Sequence, residues 1–184
     1  NINGLRHIYC YDYRNRLIQE YVEELMYGWQ LRKNNEINYE YDHRDRLTKE
    51  TKYGISNTYE YDALDNLIRV TDIGGNTTSY GYDALNRLTS VTDARGYTTS
   101  YCYDTLNRLI EQQTPAETLP DGSVTYSVQK MYYDNNGNLT EQAVSVSAPG
   151  EAITFNSTVY AYDSMNRLVR AQSGDIVSEY IYNA

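Results

Sequence analysis

The chain has 184 residues, with 16 Lys and Arg against 25 Asp and Glu, and a formal net charge of −9. This acidic balance, with no basic stripe, argues against binding of nucleic acid or anionic lipid. No run of 18 apolar residues occurs, so no membrane insertion is predicted. The 22 Tyr, against one Phe and one Trp, favour strands whose aromatic faces are half-buried.

A short motif recurs along the chain. The dipeptide Tyr-Asp occurs seven times, at steps of 30, 20, 21, 21, 30 and 29 residues, and a Leu follows each Asp five residues later. Such periodicity is typical of repeat architectures. The three residues of each copy are Tyr11, Asp12 and Leu17; Tyr41, Asp42 and Leu47; Tyr61, Asp62 and Leu67; Tyr82, Asp83 and Leu88; Tyr103, Asp104 and Leu109; Tyr133, Asp134 and Leu139; Tyr162, Asp163 and Leu168.

The motif extends to Tyr-x-Tyr-Asp-x-x-(Asn/Asp/Gly)-(Arg/Asn)-Leu, with Met131 as the exception at the first Tyr. It predicts one repeat array over residues 1–184. The copies span 9–17, 39–47, 59–67, 80–88, 101–109, 131–139 and 160–168, with a truncated copy at 180–184. Because that copy stops within the motif, we expect the chain to be a fragment of a longer one.

Each copy predicts a β-hairpin. The two Tyr are spaced by two residues, so both rings point to one face of a strand. The Asp opens a turn, in which its carboxylate accepts from the backbone N–H two residues on. Leu begins the return strand. Residues that tolerate positive φ stand three positions after each Asp. They are Asn15, Asp45, Asp65, Asn86, Asn107, Gly137 and Asn166.

Further turns at residues 71–76 and 92–97 link one hairpin to the next. The fold class predicted is all-β: tandem hairpins form one long, curved, spiralling antiparallel sheet, as in an open fragment of a shell. Insertions of about nine residues lengthen three steps. Residues 19–38 suit an amphipathic helix or longer strands, and the flanking repeats favour strands. Residues 114–128 predict a loop with a hairpin turn at Asp121-Gly122. Residues 143–157 surround Pro149-Gly150.

No group with recognisable chemistry is predicted. His7, His43, Cys10 and Cys102 have no metal-ligand spacing, so no metal, cofactor or catalytic residue is assigned. Both Cys are expected to be free thiols, since a disulfide needs Cα atoms within about 7 Å. Neighbouring motif Asp, about 10 Å apart, are too distant to share one Ca²⁺. The Tyr rows predict packing of the sheet, with carbohydrate stacking as the alternative.

The segments Tyr-Asp-Ala-Leu-Asn-Arg-Leu at 82–88 and Tyr-Asp-Thr-Leu-Asn-Arg-Leu at 103–109 resemble the YD repeats of the Rhs family. That family includes bacterial Rhs and wall-associated proteins, insecticidal toxin complex C components and teneurins. The resemblance implies a sheet that spirals into a hollow shell, which in bacterial members encloses a C-terminal toxin. The Asp-Pro motif that ends the Rhs core is missing from this sequence.

The resemblance implies a non-catalytic structural module that encapsulates or presents a C-terminal toxin in a secreted or cell-surface bacterial protein. Its partners would be the remainder of the parent chain: further repeats, the core segment and the toxin. A carbohydrate-binding or cell-surface-binding module is the alternative function. Edge-to-edge self-association is also expected, because the array ends in unpaired strands.

Overall fold

The computed structural model describes residues 5–25, 30–147 and 154–182. These residues form strands that are joined by tight turns. The chain divides into two compact units, Asn1–Tyr80 and Gly81–Ala184. Among the described residues, no helix has the length and apolarity needed to cross a membrane.

The first unit is built from consecutive antiparallel strands. Pairing runs from β1–β2 through to β6–β7 in sequence order. The strands are β1 (Leu5–Tyr11), β2 (Leu17–Leu25), β3 (Leu31–Tyr41), β4 (Leu47–Lys52), β5 (Ile55–Tyr61) and β6 (Leu67–Thr71), followed by β7 (Thr77–Tyr82), which begins in this unit.

The second unit repeats the scheme with longer members. Pairing again follows the sequence, from β8–β9 to β14–β15. The strands are β8 (Leu88–Thr92), β9 (Thr98–Tyr103), β10 (Leu109–Thr118), β11 (Val124–Tyr133), β12 (Leu139–Ser147), β13 (Asn156–Tyr162), β14 (Leu168–Ser173) and β15 (Ile176–Glu179).

The strand boundaries coincide with the sequence motif. In every hairpin that contains the motif, the first strand ends at the motif Tyr, and the return strand begins at the motif Leu, as Tyr41 and Leu47 illustrate. The intervening Asp leaves the ladder because its side chain satisfies the turn, and the left-handed residue then reverses the chain. The predicted fold class, all-β with tandem antiparallel hairpins, is confirmed.

The insertions lengthen strands. Residues 19–38 lie largely in β2 and β3, so the helical alternative is wrong for the described part, while Met26 and Trp29 lie outside it. The loop predicted at 114–128 is also wrong except for its turn, since β10 and β11 pair as far as Thr118 and Val124. In the third insertion, residues 148–153, with Pro149-Gly150, lie outside the described residues.

The strongly buried side chains are few and belong to the second unit. Among the described residues they are Thr125, Val128, Ala143 and Ser145, on the paired strands β11 and β12. Most other strand residues are half-buried. Contacts between adjacent hairpins therefore carry much of the structure, and those contacts determine the candidate site.

Candidate functional site: the joint between hairpins

The turn of each motif is fixed by its Asp. In the β3–β4 hairpin, Asp42 Oδ1 accepts from the backbone N–H of Arg44 at 2.8 Å and of Arg46 at 3.1 Å. The Asp42 carbonyl accepts from Asp45 N at 3.2 Å, and Asp45 has a φ of 65°. This is a type I turn closed by a left-handed residue. The sequence predicted both the carboxylate acceptor and the left-handed position.

The same turn recurs along the chain. Positive φ is found at each of the seven predicted positions, from 59° to 90°. The linking turns at Asp72 and Asp93 have the same form, with Gly75 and Gly96 as their left-handed residues. The motif turns and these linking turns therefore use one solution: a short acceptor side chain followed by a residue that tolerates positive φ.

An arginine just before the motif Leu joins two hairpins. Arg46 Nε donates to its own turn at Asp42 Oδ2, 2.7 Å away. Its Nη1 reaches the next hairpin, where it donates to the Asp62 carbonyl at 2.9 Å and to Asp65 Oδ1 at 2.7 Å. Its guanidinium carbon lies 4.7 Å from the centre of the Tyr61 ring. One side chain thus fixes its own turn and positions the next one.

This arginine joint recurs in both units. Arg16, Arg87 and Arg108 each bind their own motif Asp and donate to the carbonyl of the next motif Asp. Arg167 pairs with Asp163. Where Asn138 replaces the arginine, its amide still bridges Asp134 and Asn166. The rings under the arginines are those of Tyr41, Tyr61, Tyr103, Tyr133 and Tyr182.

The motif Tyr closes the joint from the other side. Its hydroxyl donates to the carbonyl of the motif Leu in the preceding hairpin, at 2.8–3.0 Å. Ring packing and the hydroxyl therefore act on the same neighbour. The pairs are Tyr41 and Leu17, Tyr61 and Leu47, Tyr103 and Leu88, Tyr133 and Leu109, Tyr162 and Leu139, and Tyr182 and Leu168.

The first Tyr of the motif also reaches backwards. Tyr39 donates its hydroxyl to Glu20 of the preceding hairpin at 2.9 Å. Partial burial, followed by this contact with the Glu20 carboxylate, raises the pKa of Tyr39 to about 12. Tyr160 and Gln142 occupy the corresponding positions in the second unit, 3.5 Å apart. Both Tyr of the motif thus pack on one face and bind the previous hairpin.

A β-bulge follows the motif Leu. Tyr41 pairs with Leu47, but Glu40 pairs with Lys49, so Thr48 is the extra residue. The register shifts in the same way at Tyr11, Tyr61, Tyr103, Tyr133 and Tyr162. The bulge places the motif Leu and the residue three positions later on one face. It therefore brings Glu20 and the Leu17 carbonyl under the two Tyr of the next hairpin.

Charge pairing keeps the turn carboxylates ionised. Partial burial raises the pKa of Asp42, but the Arg46 side chain and the backbone N–H donors outweigh it and hold that pKa at about 2. For Asp83, the hydrogen bond from Arg87 is the largest cause of a lowered pKa, followed by that residue's backbone N–H. The joint is consequently a set of charge-assisted contacts at the protein surface.

Of the residues considered for chemistry, His43 lies within the Asp42 turn, where its carbonyl accepts from Arg14 Nη1 at 3.4 Å. Cys10 and Cys102 are free thiols, as predicted. Within the described ranges, no group of three His, Cys, Asp or Glu side chains comes close enough to hold a metal ion. The arrangement that the structure does bring together is the joint of Asp, Arg, Leu and Tyr.

A family model described as RHS Repeat matches residues 61–98 and 82–118. The two matches together cover about a third of the chain. The strands and turns of this stretch carry the joint described above, and the recurrence of that joint extends the same geometry to both units.

Solved structures support the fold. This chain is similar to a chain of the crystal structure of TcdB2-TccC3-Cdc42, with a TM-score of 0.64, 18% identity, and coverage of 91% of this chain and 9% of that one. A Tc holotoxin pore of Photorhabdus luminescens gives a TM-score of 0.55 at 17% identity, with coverage of 89% and 10%. This chain spans about a tenth of those chains, and such identities show the fold alone. No curated protein matches.

The Tyr hydroxyl of the joint can be tested by Tyr133→Phe. Loss of its hydrogen bond to the Leu109 carbonyl is expected to lower the free energy of unfolding by about 1 kcal/mol, measured by urea denaturation. Tyr132→Phe is the matched control, because its ring is 48% exposed. Equal losses in the two variants would show that the hydroxyl does not secure the joint.

Proposed function

We propose that this chain is a non-catalytic wall segment of an RHS-type shell, which encapsulates or presents a C-terminal toxin. The observation that carries the proposal is the joint: Arg46 binds its own turn, the next turn and the next Tyr ring with one side chain. Each hairpin therefore specifies where its successor lies. Such a device extends a sheet without adding any catalytic group.

The repeat motif residues then have a structural role. The motif Asp builds the turn, the motif Tyr and Leu join successive hairpins, and the same contacts occur in both compact units. We infer from this recurrence that residues 1–184 are one array, with lengthened hairpins at the three insertions. The partner of such an array is the rest of its own parent chain, including further repeats, a core segment and a C-terminal toxin.

The fold likeness supports a toxin context. The similar solved chains come from structures of TcdB2-TccC3-Cdc42 and of a Tc holotoxin pore. A wall segment of such an assembly would be secreted or placed at the surface of a bacterial cell. Because the chain spans about a tenth of those chains, encapsulation and secretion are inferred for the parent protein.

Carbohydrate binding has weaker support. Saccharide stacking needs exposed ring faces with free polar groups beside them. The hydroxyls of Tyr39, Tyr41 and Tyr61 already donate to protein acceptors. The wall function therefore remains the better account of the Tyr rows.

The proposal is tested by limited proteolysis of the parent protein. We expect its C-terminal polypeptide to be cut by trypsin at least roughly tenfold more slowly within the parent than when it is expressed alone. A triple variant of Arg16, Arg46 and Arg87 to Ala should remove much of this protection, because it opens three joints. Arg170→Ala, at an exposed residue outside the joints, is the control.

Two outcomes would contradict the wall function. The wall function would be excluded if the parent protein lacked both further repeats and a variable C-terminal polypeptide. Equal cleavage rates for that polypeptide alone and within the parent would also exclude it.

A further inference from the structure

One strand of the first unit extends beyond its neighbour. β3 spans Leu31–Tyr41, but its pairing with β4 begins only at Ile37, which lies opposite Lys52. The chain then turns back at Tyr53-Gly54. Among the described residues of this unit, β3 pairs with β2 on one side over residues 31–34 and with no strand on the other. An edge of about four regular residues is open to pairing.

The open edge borders a notch of about 810 Å³. The notch is lined by the consecutive residues 32–36 of β3 and, below them, by Thr51, Tyr53 and Gly54. Successive residues of a strand point to opposite faces, so a cavity that touches all of them lies beside the backbone rather than above one face. The volume therefore lies where an additional strand would pair.

The floor of the notch is tied in place. Tyr53 and Gly54 both have positive φ, as a type I′ hairpin turn requires. The Tyr53 hydroxyl donates to Asn35 Oδ1 on the facing strand. Asn35 also has positive φ and marks a bulge, since Glu20 pairs with Ile37 but Val22 pairs with Asn34. The turn and the bulge thus fix the position of the open edge relative to the β4–β5 turn.

The notch carries positive charge in an acidic chain. Arg32 and Lys33 are exposed, and Arg32 has no ion pair within the described residues. Lys33 is held with its Nζ 4.0 Å from the centre of the Tyr21 ring, and Glu23, the residue opposite it on β2, is already paired with Arg6. The carboxylate of Glu36, in contrast, accepts from Gln19 at 2.8 Å. A ligand at this edge therefore meets two cations, although the chain as a whole has a net charge of −9.

The second unit has a corresponding strand extension, but the space beside that strand is largely closed. β10 extends beyond its last pair with β9, Gln113 and Ser100. There the space is only about 330 Å³, and its lining includes Pro115, which has no N–H to offer. The Tyr97 hydroxyl reaches across to Thr118. Proline is a common guard of exposed edges, and residues 31–36 contain none.

We propose that the open edge of β3 is a binding site for an extended acidic peptide segment, which adds to the sheet as a short antiparallel strand. Backbone hydrogen bonds to residues 31–34 supply the pairing, and Arg32 and Lys33 select acidic side chains. The site goes beyond the wall function and does not depend on it. Peptide binding to the isolated chain and trypsin protection within the parent can each fail alone.

The test uses the 184-residue chain and a fluorescein-labelled peptide, Thr-Glu-Val-Glu-Thr-Glu, in fluorescence anisotropy titrations. Saturable binding is expected, with at least tenfold weaker binding by the double variant Arg32→Glu, Lys33→Glu. Arg170→Glu, at an exposed residue of the second unit, controls for added negative charge and should bind as the unchanged chain does. A peptide N-methylated at every residue keeps every carboxylate but has no backbone N–H to donate on either edge, and it should not bind.

The N-methylated peptide tests the proposal on the unchanged chain, so the result does not depend on folding of the variants. Equal binding of the methylated and unmethylated peptides would overturn strand addition in favour of simple charge attraction. An absence of peptide binding would overturn the site. Binding of alginate, a polymer of uronic acids, through Arg32 and Lys33 in place of the peptide would also overturn it and indicate a polysaccharide site.

Discussion

Replacing Asp42 with Ala is expected to lower the thermal midpoint of the chain by roughly 5 °C. The carboxylate accepts two backbone N–H groups of the turn and binds Arg46 through its second oxygen. Alanine removes these three contacts at once. Circular dichroism melts at pH 7 provide the measurement.

Two further variants separate turn formation from charge. Asp42→Asn keeps an oxygen for the two N–H groups but loses the ion pair with Arg46, so an intermediate loss is expected. Asp175→Ala is the matched control, because this Asp lies exposed in the β14–β15 turn. If Asp42→Ala and Asp175→Ala shifted the midpoint equally, the motif Asp would not hold the turn.

Local chemistry explains why the turns were predictable. The Asp acceptor, the two N–H donors and the left-handed residue all lie within five consecutive positions, as in 42–46. Asn, Asp and Gly are residue types that tolerate positive φ, so they indicate the position of the left-handed residue. The strand ends follow, since the ladder stops where the Asp leaves it and resumes at the motif Leu.

The joint between hairpins was not predictable from spacing alone. Arg46 and Asp62 are 16 residues apart, and Arg108 and Asp134 are 26 apart, because insertions change the distance. Only the stacking of neighbouring hairpins brings them together. The sequence did show an Arg or Asn before each motif Leu, and this regularity was a usable signal for a shared role.

The bulge had a subtler signal. The residue after each motif Leu is β-branched throughout the array. Because β-branched residues suit any strand, this pattern does not by itself predict a bulge. Those residues are Ile18, Thr48, Ile68, Thr89, Ile110, Thr140 and Val169. Thr48 and Thr140 show one use of the position, since their hydroxyls donate to the carbonyls of Glu40 and Tyr132 across the hairpin.

The open edge of β3 depends on two lengths that no local pattern encodes. β3 has 11 residues and β4 has six, and the notch exists because of that difference. The end of β4 is set by the type I′ turn at Tyr53-Gly54, which lacks the motif Asp. Composition alone left residues 19–38 open between helix and strand, so neither length could be predicted.

Acid is expected to unfold the array cooperatively, with the thermal midpoint falling on the order of 15 °C between pH 5 and pH 2.5. The pKa values of the turn carboxylates are lowered in the folded chain by hydrogen bonds from arginine, asparagine or, at Asp121, serine side chains and from backbone N–H groups. The residues concerned are Asp12, Asp42, Asp62, Asp72, Asp83, Asp93, Asp104, Asp121, Asp134 and Asp163.

The sign follows from the direction of those shifts. An unfolded Asp has a pKa of about 3.9, and a folded pKa below it means that the folded state binds the proton less readily. The stabilisation is therefore fully present above about pH 4. It is lost as the pH falls through the folded pKa, which is about 2 for Asp42. Each surface pair contributes little, so the large effect arises from the number of turns that protonate together.

A competing effect makes the thermal midpoint behave differently between pH 7 and pH 4 than it does below pH 4. As the pH falls from 7 to 4, the net charge of −9 decreases and self-repulsion weakens, so the midpoint should hold steady or rise slightly. Melts at fixed ionic strength and closely spaced pH values distinguish the two regimes. Asp42→Asn should flatten the fall below pH 4, and Asp175→Asn should leave it unchanged. A midpoint that stays constant down to pH 2.5 would mean that the charged joints do not hold the hairpins together.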